Sequence, residues 1–258
     1  MMGLARLGYA APWLLSALFF IPWVVPDTTF WFAFAVALPL EALAFYCYMK
    51  ALKASPLSLA LPFLAFTPAF IILTGWIILD EKVSPGGLSG IMLIIAGAYL
   101  LNLSKTRDSL LEPVKAIFKE PGSRLMLLVS FIYALTSPLG KVAIIHSNPY
   151  FFGILYNVSL LILMIFLLPT AANTAPARSL ISIPLIGLLL GTTVATTIFS
   201  HMLAISMTNV AYMISLKRTS LLFGVLYGAI LFKEEKIAER LTGAVIMIAG
   251  VLLIGCWG

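Results

Sequence analysis

The chain has 258 residues, 62% of them hydrophobic and only 10% charged, with 16 Lys and Arg against 10 Asp and Glu and a net charge of +6. Its apolar runs are too long for the core of a water-soluble domain, which leaves the membrane-spanning class. The two cysteines, Cys47 and Cys256, lie in separate apolar runs and form neither a disulfide framework nor a metal-binding spacing, so redox chemistry is not expected.

A bilayer is crossed by about 20 apolar residues. Nine such runs are expected, over residues 8–25, 30–52, 57–79, 87–103, 123–145, 150–169, 182–206, 209–232 and 238–257. Backbone groups in lipid must bond within their own segment, so the runs are read as helices. The alternating pattern of a membrane barrel is absent. The first run follows Arg6 but meets Pro22, Trp23 and Pro26 where a cleavage site would stand, and it is read as a retained helix. The second run carries Glu41 deep inside it, then Tyr46 and Tyr48, and closes on Lys50 and Lys53. Pro62 and Pro68 in the third predict a kink. Asp80-Glu81-Lys82 forms a charged turn, and the fourth run opens on Gly86-x-x-x-Gly90, a close-packing pattern.

Residues 104–122 are the longest polar connection. Leu110, Val114, Ile117 and Phe118 share a face if the segment is helical, so it reads either as a short surface helix or as a solvated linker. The fifth run holds Ser137-Pro138-Leu139-Gly140-Lys141. The seventh has Gly187-x-x-x-Gly191 and ends near His201. The eighth has Lys217-Arg218-Thr219-Ser220 near its middle, followed by Gly224-x-x-x-Gly228.

One stretch occurs twice. Residues 70–102 align without a gap on residues 223–255: Gly75 falls on Gly228, Glu81 on Glu234, Gly90 on Gly243 and Gly97 on Gly250. Each copy is an apolar run, a charged turn containing Glu, and a second apolar run. Matching helices are five spans apart, an odd number, so the copies must cross the membrane in opposite directions. Such inverted repeats are typical of secondary transporters, whose substrate site lies between the repeats.

The residues Leu79-Asp80-Glu81-Lys82, Leu88-Ser89-Gly90 and Ala96-Gly97, with Phe232-Lys233-Glu234-Glu235, Leu241-Thr242-Gly243 and Ala249-Gly250 in the second half, carry a family resemblance. The chain resembles the EamA family of the drug/metabolite transporter superfamily over nearly its whole length. Thr67-Pro68 is similar to the family's proline in the fourth helix, and Lys141 to its basic residue near the end of the sixth. The family pattern is ten helices, five plus five, whereas four plus five are found here. The helix matching residues 123–145 would lie before Met1, so the chain reads either as a nine-helix variant or as one truncated at its start. The expected fold is therefore all-α: a polytopic membrane helix bundle of about nine transmembrane helices in two inverted repeats. Residues 1–104 form the first repeat, 105–122 the connection and 123–258 the second repeat.

Counted from the N-terminus as zero, the even polar segments hold Arg6, Lys50, Lys53, Lys105, Arg107, Lys115, Lys119, Arg124, Arg178, Lys233, Lys236 and Arg240, against Lys82 and Lys141 on the odd side. The positive-inside rule then puts the N-terminus in the cytoplasm and the C-terminus outside. The ten-helix pattern implies the opposite placement of the C-terminus, and the charge count is preferred.

Ionisable groups inside spans are functional candidates by default. Lys217 and Arg218 can attract a carboxylate or phosphate, Arg218 in two places; the other reading is a structural pair with Glu41. Glu41 can carry a proton or serve as a packed partner of a basic residue. Lys141 either lines a cavity or snorkels to the interface. Tyr48, like Tyr46, Tyr212 and Tyr227, can line a pathway or simply pack. Glu81 and Glu234 are read as fixing their turns.

The substrate-binding set is thus Lys217, Arg218, Glu41, Lys141 and Tyr48. His146 and His201 lack a third ligand, and no nucleophile–base pair or phosphate loop is seen, so neither metal, cofactor nor enzymatic activity is expected. The expected function is secondary active export of small metabolites, such as amino acids or other carboxylate-bearing solutes, by alternating access. The alternative is a non-transporting scaffold or a transporter fragment. Expected partners are a small-molecule substrate and the lipid bilayer, with proton coupling and a homodimer as options; nucleic acid is not one. The resemblance points to the bacterial inner membrane.

Overall fold

A computed structural model of the chain describes residues 2–55, 61–103, 121–167, 184–220, 222–223 and 237–258. Among these residues the structure is all-α. Its nine α-helices are α1 (Met2–Ala17), α2 (Thr28–Ala54), α3 (Thr67–Leu79), α4 (Pro85–Leu103), α5 (Pro121–Ile145), α6 (Pro149–Leu167), α7 (Pro184–Met207), α8 (Val210–Arg218) and α9 (Ile237–Trp257), and a 3₁₀ turn over Leu61–Phe66 precedes α3. The segments Thr28–Ala54, Pro121–Ile145, Pro149–Phe166 and Gly187–Met207 are long and apolar enough to cross a membrane, and three shorter apolar helices accompany them. The membrane-bundle expectation therefore holds.

Two runs differ from expectation. The first is helical only to Ala17. Residues 21–27 follow with no helix, and Pro22 and Pro26 in that stretch cannot donate to a helical ladder. The third is broken rather than kinked: the 3₁₀ turn ends at Phe66 and α3 begins at Thr67, with Pro68 in its first turn. A proline is harmless there, since the N–H it lacks would have no helical partner. The surface-helix question over 104–120, the Arg178 loop, Gly224, Gly228 and Glu234 fall outside the described residues.

The chain forms two compact units, Met1–Ala42 with Leu139–Met207, and Leu43–Pro138 with Thr208–Gly258. Each unit draws on both halves of the sequence.

In the first unit, Ala10 and Leu14 of α1 pack on Ile154 of α6 and Ala195 of α7. Phe34 meets Tyr156 edge-on, and Tyr156 stacks on Phe152. The Tyr156 hydroxyl donates to the carbonyl of Ala37, 3.2 Å away. At the segments joining these helices, Asp27 accepts from the backbone N–H of Phe30 at 2.9 Å and pairs with His146 at 2.7 Å. The backbone bond from Phe30, followed by His146, holds the Asp27 carboxyl below its ordinary value of 3.8, against an opposing effect of desolvation. His146, considered above only as a metal ligand, is thus a partner of Asp27.

In the second unit α4 and α9 cross antiparallel. A Cβ added to Gly90 would lie 2.7 Å from the carbonyl oxygen of Gly250, and one added to Gly97 would lie 2.6 Å from that of Gly243. The helices approach this closely because both sides of each crossing are glycine. Helix α5 is tied to α3 by hydroxyls. Pro138 has no N–H to offer the carbonyl of Ala134 one turn back. The hydroxyl of Thr74 donates to that carbonyl instead, at 2.6 Å. Segment ends of the same parity gather: Glu81 and Ser84 meet Val210, Tyr212 and Trp257, whereas Ser55 accepts from the N–H of Gly122.

Candidate functional site

Helix α8 is nine residues long and is held at both ends. At its start Asn209 accepts from the N–H of Ala211 at 2.9 Å, a side-chain cap. Glu81 accepts from the N–H of Val210 at 2.8 Å, so a carboxylate faces the positive end of the helix. The Tyr212 hydroxyl accepts from the backbone N–H of Ser84 at 2.9 Å. The far end carries Lys217 and Arg218, and Thr219 caps it. The two basic residues end the regular segment; a turn residue, Thr219, follows, and Ser220, Leu222 and Phe223 are again helical.

The Arg218 guanidinium turns into the second unit. One of its terminal nitrogens donates to Thr67 Oγ1 at 2.9 Å. Thr67 is 1% exposed; it donates to the carbonyl of Leu64 at 2.7 Å and lies 3.0 Å from the hydroxyl of Ser130, which is also buried. The Arg218 Nε is buried and has no hydrogen-bond partner among the described residues. A guanidinium offers five donors. Here one neutral hydroxyl takes one of them, the charge has no carboxylate partner among the described residues, and donor capacity is left for an anion.

Arg218 and Tyr48 are half-buried and Lys217 is exposed, and all three belong to the second unit. Glu41 and Lys141 are half-buried on α2 and α5 and belong to the first unit. Thr67 and Ser130 were not singled out as site residues. The signal was present for both: Thr67 stands beside Pro68 at the helix break, and Ser130 is a hydroxyl within an apolar run. Neither reveals its partner until α3, α5 and α8 are packed.

Residues 1–103 match the model of the EamA-like transporter family, which bears out the resemblance over that stretch. No curated protein matches the sequence. Among solved structures, a protein crystal structure superposes with a TM-score of 0.74 at 13% identity, covering 98% of this chain and 86% of that one. At that identity the likeness is one of fold.

Proposed function

We propose, with the EamA match over residues 1–103 as the premise, that the chain is a secondary active transporter of the bacterial inner membrane. It exports small metabolites bearing a carboxylate or similar anionic group, such as amino acids, by alternating access of two inverted repeats, and it makes or breaks no bond in its substrate. The observation that carries the substrate class is Arg218, a half-buried residue whose Nε is buried without a hydrogen-bond partner and whose guanidinium meets only a hydroxyl among the described residues. Burying an uncompensated charge is expensive, and a site that meets an anion part of the time gives the expense a use. Lys217 adds attraction, and Tyr48 of the same unit is a candidate for the cavity wall. Glu41 is the proton-carrying candidate, and Lys141 is a third basic candidate. The reciprocal crossing of Gly90 on Gly250 and Gly97 on Gly243 supports the repeat reading, because exchanging the two copies exchanges these two contacts.

The test is transport by purified protein in liposomes against a panel of labelled amino acids and other carboxylates. Arg218→Gln should fold, with thermal stability near that of the wild type, and lose affinity for the transported solute. Loss of the charge-assisted bonds corresponds to about 1.5–3 kcal/mol, or roughly ten- to a hundred-fold in affinity. Transport of neutral solutes alone, or an Arg218→Gln protein with unchanged affinity, would overturn the reading.

A further inference from the structure

Arg218 is fixed at the end of a short rod, and the other end of that rod is gripped by a residue of the first repeat. Val210 to Arg218 spans eight helical steps, about 12 Å. Residues Val210 to Ser215 are buried, so the rod has a packed bed as well as fixed ends. The grip at its start has a built geometry. Asp80 takes a left-handed conformation with φ 52°, and the N–H groups of Asp80 and Glu81 close the α3 terminus on the carbonyls of Trp76 and Gly75. This turn aims the Glu81 side chain back along α3, where a Cβ on Gly75 would stand 3.7 Å from its Oε2. The same oxygen accepts from Val210 N–H at 2.8 Å.

We propose that Glu81 is a positioning residue for Arg218. By capping the first turn of α8 it sets the register of the helix along α3, and so sets where the guanidinium stands against Thr67. The two polar contacts, Glu81 with Val210 and Arg218 with Thr67, lie at opposite ends of the antiparallel helices α3 and α8. Release of the first lets α8 slide or tilt, and the second is displaced with it. The inference rests on the reading of Arg218 as the anion-binding group, but its test does not depend on knowing the anion.

The measurement is the rate at which phenylglyoxal modifies Arg218 in the purified protein, followed by peptide mass. Glu81→Ala should speed modification about five-fold, the factor that one net hydrogen bond is worth. Glu81→Gln keeps an acceptor oxygen and should restore the wild-type rate. Val210→Pro removes the N–H that Glu81 accepts from while leaving α8 intact. Val210 is the first helical residue, where proline is favoured, and Asn209 at φ −55° and ψ 134° already has the backbone that precedes a proline. It should reproduce the effect of Glu81→Ala, and it stands in for that variant if Glu81→Ala fails to fold. Gly90→Ala, a destabilised control, should leave the rate as in the wild type. Wild-type rates in the folded Glu81→Ala or Val210→Pro protein, or an equal acceleration in Gly90→Ala, overturn the proposal. Protection of wild-type Arg218 by succinate or inorganic phosphate is a separate arm. Its failure counts against the substrate reading and leaves the positioning result standing.

Discussion

The crossing of α4 and α9 gives a substitution whose cost can be worked from the coordinates. A Cβ on Gly90 would lie 2.7 Å from the Gly250 carbonyl oxygen, 2.7 Å from Ile254 Cγ1 and 3.1 Å from the Ile254 backbone nitrogen. Two of these three neighbours are backbone, so no side-chain rotation relieves the contact. Ordinary contact begins at 3.4 Å, and the helices must part by about 0.7 Å. Overpacking of this kind costs about 1–3 kcal/mol. Alanine returns about 0.5–1 kcal/mol of helix propensity, which leaves a net loss of up to about 2.5 kcal/mol. For a chain of this size that lowers Tm by up to roughly 10 °C.

The control is Gly255→Ala on the same helix α9, where an added Cβ meets nothing within 4 Å and the propensity gain stands alone. Thermal unfolding in detergent, followed by the amount of monodisperse protein left after heating, reads both. The double variant Gly90→Ala with Gly250→Ala should cost less than the sum of its parts. Gly250 meets the carbonyl oxygen of Gly90 in return, and helices already parted by one Cβ have room for the other. A Gly90→Ala protein as stable as Gly255→Ala would refute the claim that this crossing is close.

Two further outcomes are expected. The Asp27 carboxyl is held below 3.8 by the Phe30 N–H and His146, so the stability it contributes is complete above that value and is lost as pH falls through its own lower one; a melt series from pH 6 to pH 2 should show wild type and Asp27→Asn converging at the acid end, and a constant difference would disprove the pairing. A reporter fused after Gly258 should be active on the outer face, because the even segments hold nearly all the Lys and Arg, and a cytoplasmic signal would favour the ten-helix pattern instead.

Most of the helix framework could be read from hydropathy, because a lipid-spanning helix states its length and character in a single run of residues. The run at 123–145 became α5 over Pro121–Ile145, and the run at 87–103 became α4 over Pro85–Leu103. Interruptions were harder to read. Pro68 announced a disturbance, but whether a proline kinks a helix or starts one depends on what satisfies the backbone around it, and here the Thr67 hydroxyl takes the Leu64 carbonyl. The site was legible only on its charged side. Arg218 stood out as a charge in an apolar run, whereas Thr67 is a common residue whose importance comes from meeting it, and Ser130 one that meets Thr67 in turn. Likewise Thr74 could not be matched to Ala134 from sequence, although Pro138 told which carbonyl would need a donor.

The duplicated stretch separates what builds the second unit from what it binds. Of the residues common to the two copies, Gly90 and Gly97 admit the backbone of α9, Glu81 caps α8, and Gly75 leaves space beside the Glu81 carboxylate. Each makes a helix of one half fit a helix of the other. The basic pair has no counterpart, since Lys217 and Arg218 align with Leu64 and Ala65. The hydroxyl that receives Arg218, by contrast, lies in the first half, on the residue that starts α3 at the helix break. Had the arginine been a fastening of the fold, the duplicated framework would need a basic residue at position 65 as well, and it has alanine there. A charge present in one copy of the duplicated stretch and not in the other, with a hydroxyl as its partner among the described residues, is what the proposed anion-binding role predicts.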